Sequence, residues 1–423
     1  MQSRWFLLIG ALLVAGASSA PADDWDSCAK ESGDAAIAAC TQAIKSGRFV
    51  GASLALAYVN RGVEWKAKGD LPRAIADYNE AIAQDAQQPA AYNSRGAAFA
   101  SQNQYDAAIR DYDAAIQLNP KDAAVFNNRG NAYASAGKYD RAVADFDQAV
   151  LLDPGYAVAL YNRGNAAYAK GDIDGAVKSY DRAISLNAQY EDAFVNRGVA
   201  YEKKRQLDRA IADYDQAIRL DPKDVVAFNN RGNAQMKKRQ HDRAIEDYNQ
   251  AIKLDGNYAV AYFSRAIAYE NKQQFNAAIA DYDQVTRLQP DNAIAWNSRC
   301  WTRAIAGQLP EALTDCNEAL RLKPGYVNAL DSRAFVQLRA GQLDAAIADY
   351  TAALKLEPRK VASLYGRGMA RRRQGDFAGG GSDIAMARKL KPDVSADFAR
   401  YGVSLDDGEA AAARAQTSAP AGQ

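Results

Sequence analysis

Apolar residues recur at helical spacing in paired bursts separated by a short polar break, and the whole pattern returns every 34 residues. In residues 123–156, Val125, Phe126, Gly130 and Tyr133 share one face of a first helix, and Ala136-Gly137-Lys138 then breaks the periodicity. A second helix is predicted to open with Asp140, to carry Ala142, Val143, Phe146, Ala149 and Val150 on one face, and to stop near Leu152-Asp153-Pro154. Two other units have Pro72 or Pro310 at the Asp140 position, which a helix start tolerates because the lost N–H had no partner there. Ten units run without insertion from 55 to 394, and a degenerate one, around Asp34 to Ile44, occupies 23–54. A unit this short cannot bury a core alone, so neighbours must stack. The pattern therefore predicts an all-α solenoid of helix-turn-helix repeats.

Two positions stay small, those of Gly130 (Gly62, Gly96, Gly164, Gly198, Gly232) and Ala142 (Ala74, Ala108, Ala176, Ala210, Ala244), as close helix approach demands. An added side chain there would overpack the hairpin by roughly 1–3 kcal/mol. An aromatic fills the wider gap in most units, from Tyr78 and Tyr112 to Tyr350, and a proline such as Pro120, Pro154 or Pro222 is expected to end the second helix. Every unit has an arginine, Arg61 to Arg367, and nine of the ten have an aspartate sixteen residues later, Asp77 to Asp383. That separation places the two side chains opposite each other across the hairpin, so they are expected to pair. Ser179 breaks the rule and should leave Arg163 to a neighbouring acceptor. A ligand-binding role for the arginines is the alternative.

Phe126, Gly130, Tyr133, Ala142, Phe146, Ala149 and Pro154 resemble the tetratricopeptide repeat at that family's spacing, with arginine where the family usually has leucine. The resemblance implies a right-handed superhelix whose first helices line a concave groove. It also implies that residues just before the arginine point into that groove. These are Asn60, Asn128, Asn162, Asn196 and Asn230, with Asn131, Asn165 and Asn233 one turn on. An amide both donates and accepts, so such a ladder suits the backbone of an extended peptide, as in the similar groove of the O-GlcNAc transferase repeats. The same asparagines could instead crosslink or cap neighbouring first helices. From the seventh unit the rows turn apolar, with Phe263, Ile267, Trp301, Phe335, Tyr365 and Met369, which suits anchoring of apolar ligand side chains or, for Trp301, packing between helices. The carboxylate clamp of chaperone-binding members is incomplete, because Ala90, Ala124 and Val158 stand where its basic residues would be.

The first 22 residues combine Arg4, an apolar run from Trp5 to Gly16 and a small-residue Ala20-Pro21-Ala22, the zones of a signal peptide, although an uncleaved anchor has the same start. Export, to the periplasm or beyond, is the expectation. Formal charge is +1, and loss of Arg4 brings it to zero, so no global field favours nucleic acid. Locally, Lys203-Lys204-Arg205, Lys237-Lys238-Arg239 and Lys272 form a basic edge that could meet an anionic polymer or envelope glycan. His241 has no His or Cys companion, and Gly379-Gly380-Gly381 lacks a phosphate loop's lysine, so no catalytic site, metal or cofactor is expected. The glycines are expected to weaken the last unit's second helix. Beyond Pro392, Phe398 and Tyr401 suggest a capping helix over 395–403, followed by an Ala-rich disordered tail over 404–423.

Four cysteines in an exported chain favour disulfides. Cys300 and Cys316 straddle the turn at Ala306 to Gln308 almost symmetrically, and Cys28 and Cys40 straddle one near Gly33 less evenly, with two other connectivities open. A bridge closing so short a loop contributes roughly 3 kcal/mol. Thiol titration of protein folded under oxidising conditions should find no free thiol; four would remove both bridges.

Overall fold

A computed structural model describes residues 23–404; the expected leader and residues 405–423 of the expected tail lie outside them. The described residues form 23 helices and no strand, arranged as consecutive helical hairpins. They fall into two compact units, divided between Ala193 and Phe194. The first holds a short hairpin (Asp23–Lys30 and Gly33–Lys45) and four repeats, and the second holds the later repeats and a closing helix, Val394–Arg400.

The third repeat shows how sequence becomes hairpin. Its helices are Ala123–Ser135 and Tyr139–Leu152, so the second begins one residue before the expected Asp140, whose charge then sits in the first turn, near the positive end of the helix dipole. The reversal between helices uses a left-handed residue at one fixed position in all ten repeats. Six of these are glycine, including Gly137 (φ 72°), whereas Asn103, Arg205, Arg239 and Gln273 adopt the same conformation with a side chain.

Proline does not dictate where second helices stop. The first, fourth and sixth repeats have Ala86, Ala188 and Gly256 in its place, yet their helices end at Gln84, Leu186 and Leu254, the same register. The side chains of Asp85, Asn187 and Asp255 accept from the N–H groups of Gln87, Gln189 and Asn257 at 2.9, 3.0 and 2.9 Å, turns that redirect the backbone without proline.

Inside each hairpin the small position faces the large one. A β-carbon on Gly62, Gly130 or Gly198 would come within 2.6, 2.7 or 2.6 Å of the ring of Tyr78, Phe146 or Tyr214, so glycine there is a steric requirement. In the eighth repeat the same two positions are Cys300 and Cys316, joined by a disulfide across Cα atoms 5.4 Å apart. Cys28 and Cys40 are joined likewise, at 4.6 Å. The glycine run of the tenth repeat does not interrupt its second helix. Phe377–Leu390 is continuous, and buried Gly380 lets it approach its partner so closely that a β-carbon would fall 2.7 Å from the Gly368 carbonyl.

The arginines pair as the spacing predicts. Arg129 Nε and Nη2 donate to both Asp145 oxygens at 2.8 and 2.7 Å, and the same fork joins Arg61 to Asp77, Arg231 to Asp247 and Arg367 to Asp383. The third nitrogen does something the spacing did not suggest. Arg129 Nη1 donates to Asp113 of the preceding repeat at 2.6 Å, Arg95 reaches Asn79, Arg231 reaches Asp215, and Arg299 reaches Asp283. Arg163, facing Ser179, turns its Nε to Asp147 of the preceding repeat at 2.6 Å and keeps the Ser179 hydroxyl at 2.7 Å. The hydrogen bonds that Arg129 donates to Asp145, foremost, push its pKa up against the cost of partial burial.

Removing Asp145 strands a guanidinium in a mostly dry site, whereas Asp113 is 42% exposed at its side chain. Asp145→Ala should cost about 1.5–3 kcal/mol, and Asp113→Ala less than about 1 kcal/mol. Urea unfolding of the two variants, followed by circular dichroism, should show that order.

Candidate functional site

The row just before each arginine lies half-buried on the first helices. In the first unit these residues tie neighbouring first helices together: Asn128 Nδ2 donates to Asn93 Oδ1 at 3.1 Å, and Asn162 Nδ2 donates to Asn127 Oδ1 at 3.0 Å. Both bonds join residues 35 apart, so each spans one repeat boundary. Of the two readings open for this row, crosslinking is realised at these two positions. Each bond uses one amide donor and one carbonyl, leaving the Asn128 carbonyl and the Asn93 amino group as further hydrogen-bonding atoms of the same row. Asn93 and Asn127 went unread in the sequence, though their signal is plain: asparagine recurs two residues before the arginine at Asn93, Asn127, Asn229 and Asn297. Asn60 in the first unit, and Asn196 and Asn230 in the second, occupy the equivalent half-buried positions.

The second row divides by what stands opposite. Asn165 accepts from the Tyr180 hydroxyl at 2.7 Å and Asn233 from the Tyr248 hydroxyl at 2.8 Å, so these amides satisfy phenols otherwise sealed between helices. In the third repeat the opposing aromatic is Phe146, which has no hydroxyl, and Asn131 is exposed. With Asn128, Asn131 lines a shallow hollow of about 220 Å³ floored by Ala97, Ala132 and Tyr112.

The apolar end differs from expectation. Phe335, Tyr365 and Met369, expected to line an open groove, are buried at 2%, 1% and 1% exposure. The cause is the closing helix, which turns back across the first helices of repeats eight to ten instead of covering the last repeat alone. Phe398 stacks against Tyr365 and Phe335, with centroids 4.8 and 5.9 Å apart, and Tyr401 meets Trp301 at 5.2 Å and Phe335 at 6.3 Å. Helix Val394–Arg400 starts one residue before the expected cap, and the chain runs on through Tyr401 without helix. Trp301 stays half-buried, Phe263 packs edge-on to Tyr282 at 5.5 Å, and Ile267 is 36% exposed.

The basic edge is neutralised in part. Lys238 and Lys272 pair with Asp208 and Asp242, which open the second helix of the preceding repeat, and Lys237 pairs with Glu202. His241 begins the helix His241–Leu254, with Nδ1 3.4 Å from the Met236 sulfur. No described helix is long and apolar enough to cross a membrane.

Stacked 34-residue hairpins with a periodic polar row on their first helices define a repeat scaffold. Family models described as TPR repeat match residues 65–102, 96–137 and 164–205. Models described as tetratricopeptide repeat match 123–156, 191–224 and 225–258, and 263–327 and 333–394. The chain belongs to the tetratricopeptide repeat proteins, and all of these models describe the repeat rather than a catalytic domain. Among solved structures, it is similar to MamA at 27% identity over 39% of this chain and 96% of that one, with a TM-score of 0.37. YrrB, described as a TPR protein with an unusual peptide-binding site, is 25% identical over 44% of this chain and 97% of its own, TM-score 0.39. The C-terminal part of a TPR repeat-containing protein from Cytophaga hutchinsonii is 18% identical over 56% and 97%, TM-score 0.48. No curated protein matches the chain.

If Asn165 serves the Tyr180 hydroxyl, the two substitutions are coupled. Asn165→Ala strands a buried phenol and should cost about 1–3 kcal/mol, Tyr180→Phe should cost about 1 kcal/mol, and the double variant should resemble Tyr180→Phe alone. A double-mutant cycle by chemical denaturation measures this.

Proposed function

We propose that this protein is a non-enzymatic scaffold of the cell envelope that binds an extended peptide or protein segment along its first helices. The observation that carries this reading is the amide row. Asn128, Asn162, Asn165 and Asn233 are oriented by bonds to other asparagines or to tyrosines, and Asn128 and exposed Asn131 together line an open hollow. An extended peptide presents alternating N–H and C=O groups, and pre-oriented amides can answer both while losing little side-chain entropy on binding. Apolar anchoring falls to the exposed Ile267 and half-buried Phe263 and Trp301, because Phe335, Tyr365 and Met369 are covered. Two disulfides suit an exported chain, which agrees with the signal-like start and points to the periplasm or to secretion. The competing reading, capture of an envelope glycan or anionic polymer, draws less support now that three of the edge lysines are paired with carboxylates.

An array of immobilised, unstructured peptides tests the reading. The variant with Asn128, Asn162, Asn196 and Asn230 all changed to Ala should lose capture at least about tenfold, roughly 1.4 kcal/mol. Asn131→Ala, which removes an exposed amide and no crosslink, should weaken capture without lowering the melting temperature. Undiminished capture by both variants overturns the proposal. Retention on anionic cell-wall polymer, abolished by neutralising Lys203, Lys204, Lys237 and Lys238, would favour the competing reading.

A further inference from the structure

Beneath the closing helix lies a cavity of about 560 Å³, walled by the first helices of repeats eight to ten and by Val394–Arg400. Its polar lining is rich in oxygen acceptors. Asp331 borders it, and the partner of that carboxylate is the Ser363 hydroxyl. No lysine or arginine among the described residues pairs with Asp331: Lys360, on the same side, donates to Asn328 at 2.8 Å, and Lys391 at the rim is engaged by Asp397. Asn297 contributes a carbonyl oxygen with no hydrogen-bond partner. Tyr350, fully buried, contributes an equally unpartnered hydroxyl. The remaining wall is aromatic, with Trp301, Phe335 and Tyr401 in mutual contact.

A half-buried carboxylate without a paired counter-charge is costly, and burial pushes the Asp331 carboxyl above its ordinary range while the Ser363 hydroxyl and, after it, the charge of Lys360 pull it back. The one positive group of the lining, Lys391, is engaged by Asp397, so no charged donor is directed at Asp331. An ammonium brings three N–H groups and a guanidinium five, against acceptors on Asp331, Asn297 and Tyr350. The aromatic wall adds cation–π attraction for the head and apolar contact for a stem. We propose that this cavity binds an organic cation, a primary ammonium or guanidinium on an apolar stem, as found in a lysine or arginine side chain or in a free alkylamine. The peptide source rests on the function proposed above; the cavity and its charge preference do not.

Titration calorimetry with four probes tests this: hexylamine and agmatine as free cations, and the blocked hexapeptides Ala-Ala-Lys-Ala-Ala-Ala and its norleucine counterpart. Wild-type protein should bind at least one free cation or the lysine peptide, and should bind the norleucine peptide at least tenfold more weakly than the lysine peptide wherever the latter binds. Asp331→Asn, which keeps a partner for Ser363, should lose at least tenfold affinity for every cation bound. Should that variant not fold, Asn297→Leu replaces it with the same expected direction. Absence of binding by all three cations at millimolar concentration overturns the proposal, as does unchanged affinity in the folded variant. The four-asparagine variant separates the two proposals: loss of array capture with hexylamine or agmatine binding intact belongs to the amide row, and the reverse pattern to the cavity.

Discussion

Within each compact unit, a guanidinium with three nitrogens in fixed directions joins a repeat to the one before it. Two nitrogens of Arg129 close its own hairpin on Asp145, and the third crosses to Asp113. Lysine, with a single charged nitrogen, could not hold both carboxylates in one plane, which explains arginine at a position that the family usually fills with leucine. The fork also sets how far the second helix of one repeat can slide on the first helix of the next. Where an aspartate is missing, at Ser179, Arg163 turns its bond toward the preceding repeat and the stack is kept.

A second constraint, steric rather than polar, sets the distance between the helices of a hairpin. Glycine opposite an aromatic ring brings the backbones to one separation, and the Cys300–Cys316 bridge holds the same two positions where both members of that pair are absent. Gly368 and Gly380 give a third solution in the last repeat, backbone against backbone. With spacing held this way, the polar rows on the first helices repeat in register, and the asparagine bonds between neighbouring repeats become geometrically possible.

The C-terminal segment changes what the second unit can offer a partner. By laying Phe398 and Tyr401 over Phe335, Tyr365 and Trp301, the chain fills the apolar stretch with its own side chains and encloses polar atoms that a bare stack would leave to water. The result is a polar, open surface on the earlier repeats and a partly covered cavity bordered by charged groups near the end of the chain.

The repeat period, the hairpin, the glycine and aromatic positions, the arginine–aspartate pairs and the near pairing favoured for the four cysteines could all be read from the sequence. Each depends on residues close along the chain and is copied ten times, so local periodicity determines it. Helix ends at repeats without proline were less legible, since an aspartate or asparagine side chain makes the turn there by a contact that composition does not mark. Tertiary structure alone decided which asparagines bond to each other, across a repeat boundary, and which serve a tyrosine opposite them in their own hairpin. It also decided that Phe335, Tyr365 and Met369 are covered and that Asp331, Asn297 and Tyr350 meet around one cavity. The covering contacts come from a single, unrepeated segment folding back over residues from 33 (Phe398 to Tyr365) to 100 (Tyr401 to Trp301) positions earlier, and no period in the sequence encodes where a unique segment will land.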